Sequence, residues 1–260
     1  MDLNTLSSKS VGLVLAGGGV RGIAHIGVIK ALNEFGIVVD KVSGSSVGAL
    51  VGALYANGNS IDDMLTFFKE TPLFKYNFLT IVKPGLIDTE RYFNIFKGYF
   101  PEDAFEALER KLYVVATDLL KGEQEFFDTG ELIRPLLASA ALPPVFSPVS
   151  LKDSLYADGG IMNNFPLEPL IETTDFVIGS SVSITGEVDK SAIRNSLQLT
   201  GRVTGLMIYA SSKQKINACN LLIEPKALEN VGVLDKKGIE TAYAIGYEHA
   251  TKIFADFFKK

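Results

Sequence analysis

The chain has 260 residues, 47% of them hydrophobic, and a formal net charge of -5. This is the composition of a globular protein with a full apolar core, and a weak negative charge without a run of Lys and Arg argues against a nucleic-acid partner. The single cysteine, Cys219, excludes an intramolecular disulfide, and we interpret it as a small core residue rather than a catalytic thiol.

The two ends of the chain bear on where the protein acts. The first ten residues are polar and lack the basic and apolar regions of a signal peptide, and no stretch approaches the roughly 18 continuous apolar residues of a membrane span. The last eight residues, 253–260, combine Phe and Ile with terminal lysines, a composition found at lipid interfaces. Because the net charge is negative, we expect this segment to dock on the core. The sequence therefore predicts a cytoplasmic protein with at most weak, transient contact at the membrane periphery.

Apolar runs and helical spacing alternate along the chain. Strands are predicted at 11–15, 37–43, 112–116, 125–127, 155–158, 176–183 and 221–224. Helices are predicted at 23–35, 47–57, 61–70, 90–97, 130–139, 191–217 and 237–258. Strands alternating with helices predict an α/β fold, with helices on both faces of a mostly parallel sheet, in a single domain over residues 1–260.

Residues 67–105 differ in character, since they hold 11 of the chain's 26 Phe and Tyr residues. This density is too high for a polar loop. One interpretation is a helical cap packed on the sheet. The other is a lining or mobile cover for an apolar acyl chain, and the two do not exclude each other.

A glycine loop joins the first predicted strand to the first predicted helix. It consists of Gly17, Gly18, Gly19, Val20, Arg21 and Gly22. Outward-facing N–H groups at a helix N-terminus bind an anion, and two anions are compatible with this loop. One is a dinucleotide diphosphate, with Asp40 placed near where a ribose-binding acid is expected. The other is the oxyanion of a tetrahedral intermediate.

A second glycine motif favours the oxyanion. Gly44-Ser45-Ser46-Val47-Gly48 follows the second predicted strand and begins a helix of small residues. This is G-x-S-x-G in the strand–turn–helix context of a nucleophile elbow, with Ser46 at the position of the nucleophile. Small residues are needed because strand and helix approach closely at the sharp turn.

A serine nucleophile needs a base, and the chain offers three candidates. Asp158 ends a short predicted strand and is followed by Gly159 and Gly160, whose turn would leave its carboxylate at a strand end. His249 would complete the order Ser, Asp, His, but it lies within an amphipathic helix rather than a loop. His25 is interpreted as a structural residue that tethers the glycine loop.

Together these motifs resemble the patatin-like phospholipase family. The resemblance extends over residues 11–169 and includes the glycine loop, the elbow and Asp158-Gly159-Gly160, besides the connecting blocks 138–146 and 163–166. Val47 replaces the alanine usual in the family's elbow. The resemblance implies a three-layer α/β/α fold with a mixed sheet.

The resemblance also implies the chemistry. Ser46 and Asp158 would form a catalytic dyad, backbone N–H groups of Gly18, Gly19 and Val20 would hold the oxyanion, and Arg21 would support their loop. The implied substrates are lipid or acyl esters, with no metal or cofactor required, and the oligomeric state is not implied. Three alternatives stay open: a Ser-Asp-His esterase of the α/β-hydrolase type, a dinucleotide-binding protein that uses the Gly17–Gly22 loop, and a catalytically silent family member that serves as a binding protein.

Overall fold

The structure is a computed structural model that describes residues 3–72, 78–233 and 235–258. The strands are β1 Val11–Leu15, β2 Lys41–Ser45, β3 Lys111–Asp118, β4 Glu123–Phe127, β5 Val149–Leu151, β6 Ser154–Ala157, β7 Phe176–Ser180 and β8 Leu221–Ile223. The helices are α1 Leu3–Ser7, α2 Ala24–Glu34, α3 Val47–Ala56, α4 Ile61–Glu70, α5 Phe93–Tyr99, α6 Ile133–Ser139, α7 Glu168–Ile171, α8 Ser196–Ile216 and α9 Ile239–Phe258.

Within the described residues these strands form one sheet in the order β5-β6-β3-β2-β1-β7-β8, with β4 also paired to β3. The pairings of β1 with β2 and β7, of β2 with β3 and of β7 with β8 are parallel. The pairings of β3 with β4 and β6, and of β5 with β6, are antiparallel. Helices flank the sheet, so the predicted mixed and mostly parallel α/β fold is confirmed.

Strand β3 positions two other strands end to end. Along β3, Val114 and Val115 pair with both β2 and β4, while Thr117 and Asp118 pair with both β4 and β6. Because a strand has only two edges, β2 and β6 must share the edge opposite β4. β2 runs parallel to β3 and β6 runs antiparallel to it, so their carboxyl ends converge beside Ala116.

The second strand departs from its predicted position. It begins at Lys41 and continues through Gly44 and Ser45, whereas the sequence predicted residues 37–43. Residues 37–40 instead return from α2 to the sheet: the Ile37 N–H donates to the Leu32 carbonyl, and Asp40 bonds Val11 at the start of β1. Apolar composition alone could not separate this buried connection from the strand that follows it.

The C-terminal helix α9 docks on the core, as predicted. A Cβ at Gly246 would lie 2.1 Å from the carbonyl oxygen of Ala24, so α9 packs directly against the backbone of α2. Phe254 is fully buried, and its ring centroid lies 5.5 Å from that of Phe35. Lys259 and Lys260, which the interfacial interpretation used, lie outside the described residues. Across the described ranges, the membrane-span criteria of length and hydropathy are met by none of the helices.

Candidate active site

Ser46 lies at a sharp turn between β2 and α3. Its φ and ψ angles are 53° and -128°, a conformation that L-residues rarely adopt and that is typical of a nucleophile elbow. The turn is possible because Gly44 and Gly48 have no side chains. A Cβ at Gly48 would lie 2.2 Å from the Leu15 carbonyl oxygen, and one at Gly44 would lie 2.6 Å from the Gly48 backbone. The Ser46 N–H donates to the buried Ser139 hydroxyl at 2.9 Å, which fixes the turn.

Asp158 faces Ser46 from the end of β6. The Ser46 hydroxyl donates to Asp158 Oδ2 at 2.6 Å, and the Gly160 N–H donates to Oδ1 at 2.8 Å. The Thr117 hydroxyl holds the Asp158 backbone carbonyl at 2.9 Å. Burial raises the pKa of Asp158 to about 6, although the bonds from Ser46 and Gly160 act in the opposite direction. The carboxylate is therefore more basic than an exposed one and still ionised at neutral pH.

The glycine loop lies beside this pair, and two of its backbone N–H groups are already used. The Gly17 N–H donates to the Asn164 carbonyl at 3.1 Å, and the Val20 N–H donates to the Val233 carbonyl at 2.8 Å. Gly18 and Gly19 donate to no acceptor within the described ranges. The structure therefore differs from the expectation at Val20, whose N–H is not free to bind an oxyanion.

Arg21 anchors the loop as predicted. Its guanidinium donates to three backbone carbonyls, those of Val231 at 2.7 Å, Ile184 at 2.9 Å and Glu229 at 3.0 Å. Because these carbonyls belong to two distant segments, Arg21 ties the glycine loop to the 182–188 segment and to the segment before Val233.

His25 is structural, which confirms its interpretation. It is fully buried, with Nε2 at 2.8 Å from the Ala16 carbonyl oxygen and Nδ1 at 2.8 Å from the Ser180 hydroxyl. A carbonyl only accepts, so Nε2 carries the proton and Nδ1 accepts from Ser180. Desolvation lowers the pKa of His25 to about 4, so it is neutral and holds the residue that precedes the glycine loop.

The residues on which the Ser-Asp-His and dinucleotide hypotheses depend lie elsewhere. His249 is half-buried on α9 near Lys252 and Glu224, and no hydrogen bond joins it to Ser46 or Asp158, all three being described residues. Asp40 precedes β2 and accepts from the Val11 N–H at 2.7 Å. It therefore lies at the amino ends of β1 and β2, whereas the glycine loop follows the carboxyl end of β1. A nucleotide bound at the loop would not meet Asp40.

An apolar pocket of about 150 Å³ opens on one side of Ser46. Among the described residues of the 67–105 segment, four aromatic rings line it: Phe67, Phe68, Tyr92 and Phe96. The remaining wall is mostly aliphatic and comes from α3, from residues 137–146 and from residues near the start of α9. Val47 also lines it and contacts the glycine loop, since a Cβ at Gly22 would lie 2.2 Å from Val47 Cγ1. Val47, which departs from the family pattern, is therefore accommodated because Gly22 has no side chain.

A polar groove of about 520 Å³ opens on the other side of Ser46. Its walls are the glycine loop, residues 182–188 and one face of α8. Arg202 of α8 contributes a half-buried guanidinium that donates to the Gly186 carbonyl at 2.9 Å. Ser46, Gly19, Leu142 and Val233 line both cavities. A molecule with an apolar chain and a polar end could therefore place the bond between them at Ser46.

Sequence reasoning missed the residues that position the site from behind. Ser139 and Thr117 bond the backbones of Ser46 and Asp158, while the Asn164 amide and the Ser183 hydroxyl donate to the Gly17 carbonyl at 3.3 Å and 2.6 Å. Ser139 and Asn164 occur in the two connecting blocks, so the sequence contained their positions. Their partners are 93 and 147 residues away, and no local pattern shows such contacts.

Comparison with known proteins places this arrangement in a family. The sequence profile described as patatin-like phospholipase matches residues 13–171, more than half of the chain. The chain belongs to the patatin-like phospholipase family. The matched region includes the glycine loop, Ser46 and Asp158, but not the 182–188 segment or α8.

Individual patatin-like proteins agree with this membership. An uncharacterized NTE family protein of Mycobacterium tuberculosis is 34% identical over 175 residues, which cover 65% of this chain and 30% of that protein. The lysophospholipase nte1 of Neurospora crassa is 27% identical over 277 residues, covering 94% of this chain and 18% of that protein. The chain thus spans about a third or less of these relatives. In structure, VipD from Legionella pneumophila has the same fold, with a TM-score of 0.57 at 16% identity over 95% of this chain and 67% of VipD.

Proposed function

We propose that this chain is a serine lipid acyl hydrolase of the phospholipase A or lysophospholipase type, which cleaves carboxylic esters through a Ser46–Asp158 dyad. The observation that carries the proposal is the 2.6 Å hydrogen bond from the Ser46 hydroxyl to Asp158, at the point where the apolar pocket meets the polar groove. Family membership supports the same class of reaction.

In the first step, Ser46 attacks the ester carbonyl while Asp158 takes its hydroxyl proton. Direct contact between the two groups offsets the low basicity of a carboxylate. A pKa near 6 also makes Asp158 a stronger base than an exposed carboxylate, which favours the proton transfer further. The oxyanion that forms is stabilised by the N–H groups of Gly18 and Gly19, the loop donors that are free of internal acceptors in the described part of the chain. Asp158 then protonates the departing alcohol, and an acyl group remains on Ser46.

In the second step, Asp158 takes a proton from water, which attacks the acyl-enzyme. The same two N–H groups stabilise the second oxyanion. Collapse of this intermediate returns the proton to Ser46 and releases the fatty acid. The dyad is thus regenerated, and water is the only co-substrate that the reaction consumes.

The two cavities assign the two ends of the substrate. The acyl chain occupies the apolar pocket, where burying each methylene contributes about 0.8 kcal/mol. The alcohol part, which bears the head group, occupies the polar groove beside Arg202. The name of the Neurospora relative, a lysophospholipase, supports a substrate of this kind.

A fluorophosphonate probe tests the nucleophile. Such probes phosphonylate an activated serine, and we expect a single modified peptide that carries Ser46. Ser46→Ala should lose both labelling and hydrolysis of a p-nitrophenyl acyl ester while keeping its melting temperature. Ser211→Ala, which removes an exposed serine of α8, is the matched control and should label normally. Labelling at another serine, or turnover by Ser46→Ala, would contradict the proposal.

A further inference from the structure

Residues 79–87 form a short hairpin that presents aliphatic side chains to solvent. Leu79 pairs antiparallel with Ile87, and the Thr80 N–H donates to the Leu86 carbonyl at 3.1 Å. At the tip, Ile81 is fully exposed and Val82 is 91% exposed. Leu79 and Leu86 are each more than half exposed. Single exposed aliphatic residues are ordinary, but four within eight residues form a patch that calls for an explanation.

The hairpin is held in this conformation by its own polar groups. The Thr80 hydroxyl accepts the N–H groups of Val82 and Lys83 at 3.3 Å and 3.2 Å. Lys83 forms ion pairs with Asp88, at 2.7 Å, and with Glu90. Lys83 is therefore ion-paired with two carboxylates that directly follow the hairpin, and the tip presents aliphatic side chains without an unpaired charge. Because the tip is already ordered, binding through it costs little further conformational entropy.

The base of the hairpin is part of the wall of the apolar pocket. The N–H groups of Leu86 and Ile87 donate to the Val145 carbonyl at 3.0 Å and 2.9 Å, and Ile87 pairs with Phe146. Both Val145 and Phe146 line the pocket that contains Ser46. Val82 at the tip is separated from Ile87 at this base by residues 83–86 only.

We infer that hairpin 79–87 inserts its tip into the surface of a lipid aggregate and docks the mouth of the apolar pocket there. Three observations favour a lipid surface over a protein partner. The patch is continuous with an apolar pocket that, under the proposed function, takes an acyl chain from such a surface. Its one charged side chain, Lys83, is ion-paired with Asp88 and Glu90. It is also small, since it consists of the side chains of Leu79, Ile81, Val82 and Leu86, whereas a stable protein interface needs about 800 Å² from each partner.

The inference rests on the proposed function only for the nature of the surface, and vesicle binding can be measured without turnover. The wild-type protein should co-sediment with phosphatidylcholine vesicles. Raising the ionic strength from about 0.1 M to about 1 M shortens the Debye length from about 10 Å to about 3 Å, and binding should not weaken. Loss of binding in high salt would show an electrostatic contact and would overturn the inference.

The deciding variant is Ile81→Ser with Val82→Ser. Losing two inserted side chains should lower vesicle affinity by about 10- to 100-fold. Hydrolysis of the vesicle lipid should fall in parallel, while hydrolysis of a soluble short-chain p-nitrophenyl ester should not change, since neither residue lines the pocket. Val38→Ser is the matched control: Val38 is 72% exposed but lies just before β2, at the opposite end of the sheet from Ser46, and this variant should bind vesicles normally.

A competing surface makes the test sharper. Met207 is an exposed apolar residue of α8, outside the hairpin. If Met207→Ser loses vesicle binding and the hairpin variant keeps it, the inference is wrong. It is also wrong if the wild-type protein does not bind vesicles at all. A protein that hydrolyses no ester but loses vesicle binding in the hairpin variant would refute the proposed function and leave this inference intact.

Discussion

The two cavities that meet at Ser46 are built from different parts of the chain. The apolar pocket is lined mainly by residues 19–146, within the region that matches the family profile. The polar groove takes most of its lining from residues 182–233, beyond that region. The contrast suggests how chemistry and selectivity are divided under the proposed function: Ser46 and the apolar pocket belong to the part of the fold that matches the family profile, and the groove lies mostly outside it.

The largest expected effect is at the proposed Ser46–Asp158 dyad, since Ser46 lines both cavities. Asp158→Asn keeps the shape of the side chain but removes the base, so turnover should fall by about 100- to 10,000-fold for every ester tested. His249→Ala is the matched control and should keep most of the activity, because His249, a described residue of α9, forms no hydrogen bond with Ser46 or Asp158. Both variants are measured in one assay. If His249→Ala is the inactive enzyme, the site is a Ser–Asp–His triad and the dyad is wrong.

The next effect is at the glycine loop, which borders both cavities. A Cβ at Gly18 would lie 2.7 Å from a methyl group of Val182, so Gly18→Val should displace the loop and its N–H donors. Losing one oxyanion donor costs about 100- to 1000-fold in turnover. Gly98→Val is the control, since Gly98 lies on α5 with no atom near its added Cβ. Full activity of Gly18→Val at unchanged thermal stability would remove the loop from the mechanism.

The apolar pocket should set the dependence on acyl-chain length. At about 0.8 kcal/mol per methylene, kcat/KM should rise about fourfold per methylene, or roughly 60-fold from acetyl to pentanoyl esters. Leu50→Phe fills part of the pocket and should flatten this series, whereas Leu120→Phe, at an exposed leucine outside the pocket lining, should not. A wild-type preference for acetyl esters would show that the chain binds elsewhere.

The polar groove should give the smallest effect, confined to the head group. A hydrogen bond from Arg202 to a phosphate is worth about 1.5 kcal/mol or more, so Arg202→Ala should lower kcat/KM on lysophospholipid by about tenfold. The same variant should leave a monoacylglycerol unaffected. Arg194→Ala, which removes an exposed arginine outside the groove lining, should change neither rate. Equal losses on both substrates would mean that Arg202 maintains the shape of the groove and does not bind the phosphate of the head group.

The sequence predicted those parts of the fold and site that depend on short stretches of chain. β1 and α4 have their predicted bounds, and the elbow around Ser46 has the predicted turn. The prediction at Val20 was wrong because the Val233 carbonyl, 213 residues away, uses its N–H. The hairpin at 79–87 was also not predicted; it pairs locally through Leu79 and Ile87, and its base is bonded to the distant residues 145–147. Apart from local errors such as the bounds of β2, what the sequence lacked was mainly distant pairing.

β2 and β6 both pair with one edge of β3, and this arrangement affects how the site tolerates a break in the chain. Ser46 and Asp158 are 112 residues apart in sequence, yet their separation is set by where two strand ends meet beside Ala116. The chain could therefore be cut at the exposed turn around Lys121, between β3 and β4, into two fragments that each carry half of the dyad. Such fragments would be inactive alone, and ester hydrolysis would report their reassembly along β3.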